Sequence, residues 1–103
     1  MRAITRDACK AFMEGKHFGR DNTQVIVGKD GWVALYLFGN LIAQRDCNHE
    51  IDITTNGWHT RTTKERLNGL PNVRVHYSGS VLYLNGNEWD GNFITIKLNE
   101  GGE

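Results

Sequence analysis

Turn-forming dipeptides punctuate this chain closely, and they leave room for little besides short antiparallel strands. Lys29-Asp30-Gly31, Gly39-Asn40, Ser78-Gly79, Asn85-Gly86 and Asp90-Gly91 each separate apolar or alternating runs. Asn-Gly and Asp-Gly favour a type I′ hairpin turn, because both central residues must take positive φ and these residues tolerate it. Between the turns, Val25 and Val27, Trp32 to Phe38, Leu41 to Arg45, Ile51 and Ile53, Val73 to Tyr77, Val81 to Leu84 and Phe93 to Leu98 predict strands. From Val33 to Phe38 both alternating faces are apolar, which predicts an interior strand covered on both sides. The turns use up most of the twelve glycines, which are therefore poor evidence for a phosphate-cradling loop.

Two segments depart from this alternation. Ala8, Cys9, Phe12 and Met13 recur at three- and four-residue spacing, the stripe of an amphipathic helix over Thr5 to Gly15. Thr5 is the candidate N-cap, Asp7 suits the positive end of the helix dipole, and Gly15 suits a left-handed C-terminal position. Thr62-x-x-Glu65 reads as a capping box opening a helix that Gly69 and Pro71 stop within about two turns. So short a helix is marginal alone and needs Leu67 and Leu70 packed beneath it. The fold class that follows is α+β: a mostly antiparallel sheet of six or seven strands, an N-terminal helix and one short helix between strands. At 103 residues the whole chain, 1–103, is expected to be a single small domain, with Asn99 to Glu103 a frayed tail.

Several functional classes are disfavoured. The longest apolar run, Val33 to Phe38, is far shorter than the ~20 residues of a membrane-spanning helix, so no membrane partner is expected. No apolar signal core follows Arg2 and Arg6. Cys9 and Cys47 form no CxxC and are expected to be reduced thiols, with a Cys9–Cys47 disulfide as the alternative. Cys9 lies on the apolar helix stripe, where burial raises a thiol pKa and keeps it inert. Cys47-x-His49 with Asp46 or Glu50 could offer metal ligands, but a solvated turn explains those residues as well. No GxSxG, HExxH, Walker A or GxGxxG pattern occurs. No catalytic residue, metal or cofactor is therefore assigned, and the chain is read as non-enzymatic.

The charges say more. Lys plus Arg equals Asp plus Glu at 12 each, which excludes a uniformly basic nucleic-acid binder. The zero conceals four blocks: +3 over residues 1–20, −3 over 21–52, +3 over 53–87 and −3 over 88–103. These can fold into weak internal pairs, or they can form a bipolar surface that steers a partner. The second basic block supplies the candidate partner-binding residues Trp58, His59, Arg61, Lys64, Arg66, Arg74 and His76. Trp and Arg are enriched at interface hot spots, and aromatic residues interleaved with basic ones also suit stacking on single-stranded nucleic acid. Trp58 is alternatively a core residue beneath the short helix, and Trp32 and Trp89 are better explained by packing.

The run Asn56-Gly57-Trp58-His59-Thr60-Arg61-Thr62-Thr63-Lys64-Glu65-Arg66-Leu67-Asn68-Gly69, with Leu82-Tyr83-Leu84-Asn85-Gly86 and Trp89-Asp90-Gly91, resembles small, functionally uncharacterised proteins of tailed bacteriophages. Gly39-Asn40-Leu41-Ile42-Ala43 is a weaker echo. The resemblance carries no catalytic residues. It implies a phage accessory protein, in the cytoplasm of a bacterial host, that binds and modulates or inhibits a bacterial host or defence macromolecule such as a CRISPR effector. The expected partner is a bacterial protein or ribonucleoprotein. The alternative is a nucleic-acid or nucleotide-binding module using the Trp58 to Arg74 patch. Oligomeric state is not legible.

Overall fold

The N-terminal stripe forms helix α1 (Ala3–Glu14), which buries Ile4, Ala8, Cys9, Ala11 and Phe12. The structure, a computed structural model, describes residues 1–46 and 50–98. The helix ends as expected at Gly15, whose φ of 73° lets its N–H reach the Ala11 carbonyl. Its start differs from expectation. The N-cap is Arg2, with no side-chain cap, and Thr5 lies fully buried inside the helix. Thr5 is drawn inward because its hydroxyl serves a tertiary hydrogen-bond network rather than its own helix end. Asp7 likewise misses the first turn and bonds Arg20 at 3.1 Å. At the other end, Arg45 donates to the Phe12 and Met13 carbonyls at 3.0 and 2.8 Å, supplying partners that the last turn of a helix lacks.

Among the described residues nine strands follow, joined in two antiparallel sheets. The larger contains β1 (Phe18–Arg20), β2 (Thr23–Val27), β3 (Val33–Leu37), β4 (Asn40–Arg45), β5 (Glu50–Ile53) and β9 (Ile94–Lys97), in the order β1-β2-β3-β4-β5-β9. The smaller contains β6 (Val75–Ser78), β7 (Val81–Leu84) and β8 (Asn87–Glu88) in sequence order. Helix α2 (Arg61–Leu67) lies between β5 and β6. The fold class is α+β, and all seven expected strands are present. The two additions, β1 and β8, are three and two residues long, too short to show an alternation.

Val25, Leu35, Ala43 and Ile53 sit side by side across β2 to β5 and form the centre of the face covered by α1. The β3–β4 register skips Ile42, so Ile42 and Ala43 are both buried although they are consecutive. β3 is interior to its sheet, but coverage of its second face is partial: Ala34 is buried, Tyr36 half-buried and Phe38 exposed.

One turn and one helix cap differ from expectation. Asn85 and Gly86 have the positive φ of the expected hairpin turn, but Asp90-Gly91 does not join paired strands. Asp90 accepts from the Asn92 N–H and side-chain amide at 2.9 and 3.0 Å, closing a local turn. The chain then crosses from the smaller sheet back to β5, and the Gly91 carbonyl accepts from Thr55 N–H and Thr54 Oγ1. In α2 the N-cap is Thr60, whose hydroxyl accepts from Thr63 N–H at 3.2 Å, rather than Thr62. Glu65 reaches instead to α1. Gly69 has a packing role, since a Cβ there would lie 2.6 Å from Thr5 Cγ2 and 2.7 Å from Cys9 Sγ.

Candidate partner-binding site

Two tight turns bring the most exposed aromatic side chains of the core-facing loops together. In the β3–β4 connection Leu37 pairs with Asn40, so the central residues are Phe38 and Gly39, with φ of 52° and 78°. The turn therefore sits one residue earlier than the expected Gly39-Asn40. A left-handed backbone costs an L-residue roughly 1–2 kcal/mol, and a bulky residue there is an outlier that points to a role beyond folding. The second turn is Asn56-Gly57, with φ of 52° and 80°, closed by Trp58 N–H on the Thr55 carbonyl at 2.9 Å. Asn56 is tied to β4 through its amide on the Leu41 carbonyl at 3.2 Å, and Thr54 N–H bonds the Ile42 carbonyl at 2.9 Å. The loop carrying Trp58 is thus pinned beside the loop carrying Phe38.

Phe38 is 69% exposed and Trp58 57% exposed. Between them lies a cleft of about 270 Å³, with Leu37, Ile42, Thr60 and Thr63 among its walls. The Thr60 and Thr63 hydroxyls bond each other at 3.0 Å, so those two walls present little unsatisfied polarity. Trp58 is consequently not a core residue beneath α2, whereas Trp89 is buried, with its indole N–H on the Asn92 carbonyl. Trp32 is half-buried and bonds Gln44.

The other candidate residues scatter. Arg61 is exposed at the first position of α2, between the cleft residues Thr60 and Thr62, and forms no ion pair among the described residues. Lys64 and His59 converge on Tyr77, at 6.0 Å and 6.5 Å from its ring centre. Among the described residues the buried Tyr77 hydroxyl has no hydrogen-bond partner, and burial pushes its pKa up. Arg74 and His76 alternate onto the opposite, outward face of the smaller sheet, where His76 stacks on Tyr83 at 5.3 Å and 12°.

Arg66 leaves the surface altogether, being 1% exposed. Its Nε donates to Thr23 Oγ1 at 2.9 Å, Nη1 to Thr5 Oγ1 at 2.8 Å and Nη2 to Asn22 Oδ1 at 3.3 Å, and Nη1 pairs with Glu65. Around Glu65, burial opposes ionisation, but hydrogen bonds from Thr5 and Arg2 N–H and the Arg66 charge outweigh it and lower the pKa. This network links α1, α2 and the β1–β2 turn. Phe38 was not among the sequence candidates. The signal that would have found it is a large aromatic residue immediately before a turn glycine.

Cys9 is buried, with Sγ on the Arg66 carbonyl at 3.4 Å, and burial pushes its thiol up to about 12. Cys47 and His49 lie outside the described residues, as does the Asn99 to Glu103 tail. Among the described residues no cluster of three metal-binding side chains occurs, and no helix is long and apolar enough to cross a membrane. A protein-family model described as Kyanoviridae Gp96 protein matches residues 1–98. No curated protein and no solved structure matches the chain significantly.

Proposed function

Because the chain belongs to the Kyanoviridae Gp96 family and is phage-encoded, we propose that it is a non-enzymatic accessory protein that binds a bacterial host or defence protein in the host cytoplasm. The observation that carries this reading is the Phe38–Trp58 pair: two large exposed aromatics flanking an apolar cleft, one of them held in a costly backbone conformation. Exposed aromatic residues gathered around a pocket are the usual anchors of a protein interface. The contact surface becomes Phe38, Trp58 and Arg61, with His59 and Lys64 at its margin. It excludes the buried Arg66.

A second reading, binding of single-stranded nucleic acid, draws on the exposed His76 stacked on the half-buried Tyr83, near Arg74 in the chain. Glu88 pairs directly with Tyr83 across the sheet and places a carboxylate where a phosphate backbone would pass. The protein reading is therefore preferred. The test is capture from nuclease-treated host lysate with tagged wild-type, Trp58→Ala and His76→Ala proteins. A protein held by wild type and His76→Ala but lost with Trp58→Ala supports the reading. Capture that nuclease abolishes, or that Trp58→Ala leaves intact, refutes it.

A further inference from the structure

The charge left over around the cleft narrows what can occupy it. Residues 53–87 contain four Lys or Arg and a single carboxylate, Glu65. That carboxylate is consumed by Arg66, Thr5 and the Arg2 N–H, and Arg66 is itself buried. The fold has thus paired off the segment's only anion with an internal cation. Among the described residues Arg61, Lys64 and Arg74 have no ion-pair partner. Arg61 is flanked in the chain by wall residues on both sides, Thr60 and Thr62, whereas Lys64 adjoins one, Thr63, and lies over the Tyr77 ring; among the described residues no acidic side chain lines the cleft.

The cleft itself is small. At about 270 Å³ it falls below the ~300–1,000 Å³ of sites that enclose drug-sized ligands, and it suits a single large side chain. Its walls are Leu37, Phe38, Ile42 and Trp58 with threonines and a single amide, Asn40, and among the described residues no charged group lines it, so the side chain it takes is apolar.

We propose that the occupant is a segment of the partner protein carrying one large apolar anchor residue flanked by carboxylates. The anchor inserts between Phe38 and Trp58, and a neighbouring carboxylate pairs with the Arg61 guanidinium, which presents planar donors suited to it. The assignment rests on the protein-binding reading above and gives that reading a partner chemistry.

A random twelve-residue peptide display library panned on the intact protein tests this, with Trp58→Ala and Arg61→Glu proteins as counter-selections. Both positions are exposed, and circular dichroism matching wild type confirms that the variants are folded. The expected result is enrichment of peptides with an aromatic residue or Leu beside Asp or Glu. A synthetic copy should bind at least tenfold more weakly to either variant, and more weakly as salt rises. Enrichment of basic or uncharged peptides, or no enrichment over the input library, overturns the proposal. So does a wild-type dimer in size-exclusion chromatography that Trp58→Ala dissociates, because a second copy would then fill the cleft. Host-protein capture that needs Trp58 but tolerates Arg61→Glu overturns the acidic partner alone. Capture independent of Trp58 overturns the protein-binding reading with it.

Discussion

Replacing Arg66 by Met removes a guanidinium that is 1% exposed and keeps much of its aliphatic volume. The loss can be worked out group by group. Thr23 keeps its hydrogen bond to Asn22 at 2.8 Å, and Thr5 keeps Glu65, so neither hydroxyl is orphaned. Glu65 loses the Arg66 cation but is 26% exposed, so water partly replaces what it loses. Breaking a buried ion pair by deleting one partner costs about 3–5 kcal/mol, and these retained contacts place Arg66→Met near the lower end, about 3 kcal/mol. For a domain whose whole stability is of order 5–15 kcal/mol, that is a large fraction. With a urea m-value of ~1–3 kcal/mol/M, the unfolding midpoint should fall by about 1 M or more at unchanged slope. Adding Glu65→Gln to Arg66→Met should cost less than the two single changes summed, since the second change removes the stranded charge. A loss below about 1 kcal/mol, or strict additivity, would mean that the network does not hold α1, α2 and the β1–β2 turn together. Unchanged stability with lost partner capture would restore Arg66 to the surface.

Phe38→Asn should raise stability by about 1 kcal/mol, because Asn tolerates the left-handed backbone and little buried area is lost, while capture of the partner falls. A lowered urea midpoint would show instead that the Phe38 ring contributes to the fold. Gly69→Ala should destabilise by about 1–3 kcal/mol, as added volume forces Thr5 and Cys9 apart from α2. An unchanged or raised midpoint would contradict the close helix approach. The Glu65 carboxyl has its pKa held below the ordinary 4.5, so the unfolded chain binds this proton first as pH falls. The stabilisation is complete above 4.5 and disappears as pH drops through the folded-state value. Urea midpoints between about pH 6 and 3 should therefore decline more steeply in wild type than in Glu65→Gln, and parallel declines would refute the assignment.

The element inventory was legible because local chemistry dictates it. Alternating apolar residues bounded by Asn-Gly and Ser-Gly turns announce strands, and the Ala8–Cys9–Phe12 stripe announces a helix. Boundaries were less legible where a side chain had a better partner far away. Thr5 and Glu65 have the look of capping residues, yet they bond each other across 60 positions. Nothing in their neighbourhoods reveals that preference.

The candidate site was partly legible in the same way. Trp58 and Arg61 stand out by residue type, and the fold places both on the surface. Arg66 stands out equally and is buried, since a seven-residue helix with cations on several sides does not declare which side meets α1. Phe38 was hidden because the turn forms one residue before its Gly39-Asn40 signal, with Leu37 rather than Phe38 as the last paired residue of β3. By itself, then, the sequence determined the seven longer strands and the two helices but not the short β1 and β8, since turn chemistry and hydrophobic period act within a few residues. Only the tertiary structure decided how the strands of the described residues divide into two sheets, which arginine is internal, and which two aromatics flank the cleft. Those outcomes depend on contacts between residues far apart in the chain, where burying one group is compensated by a partner that no local pattern names.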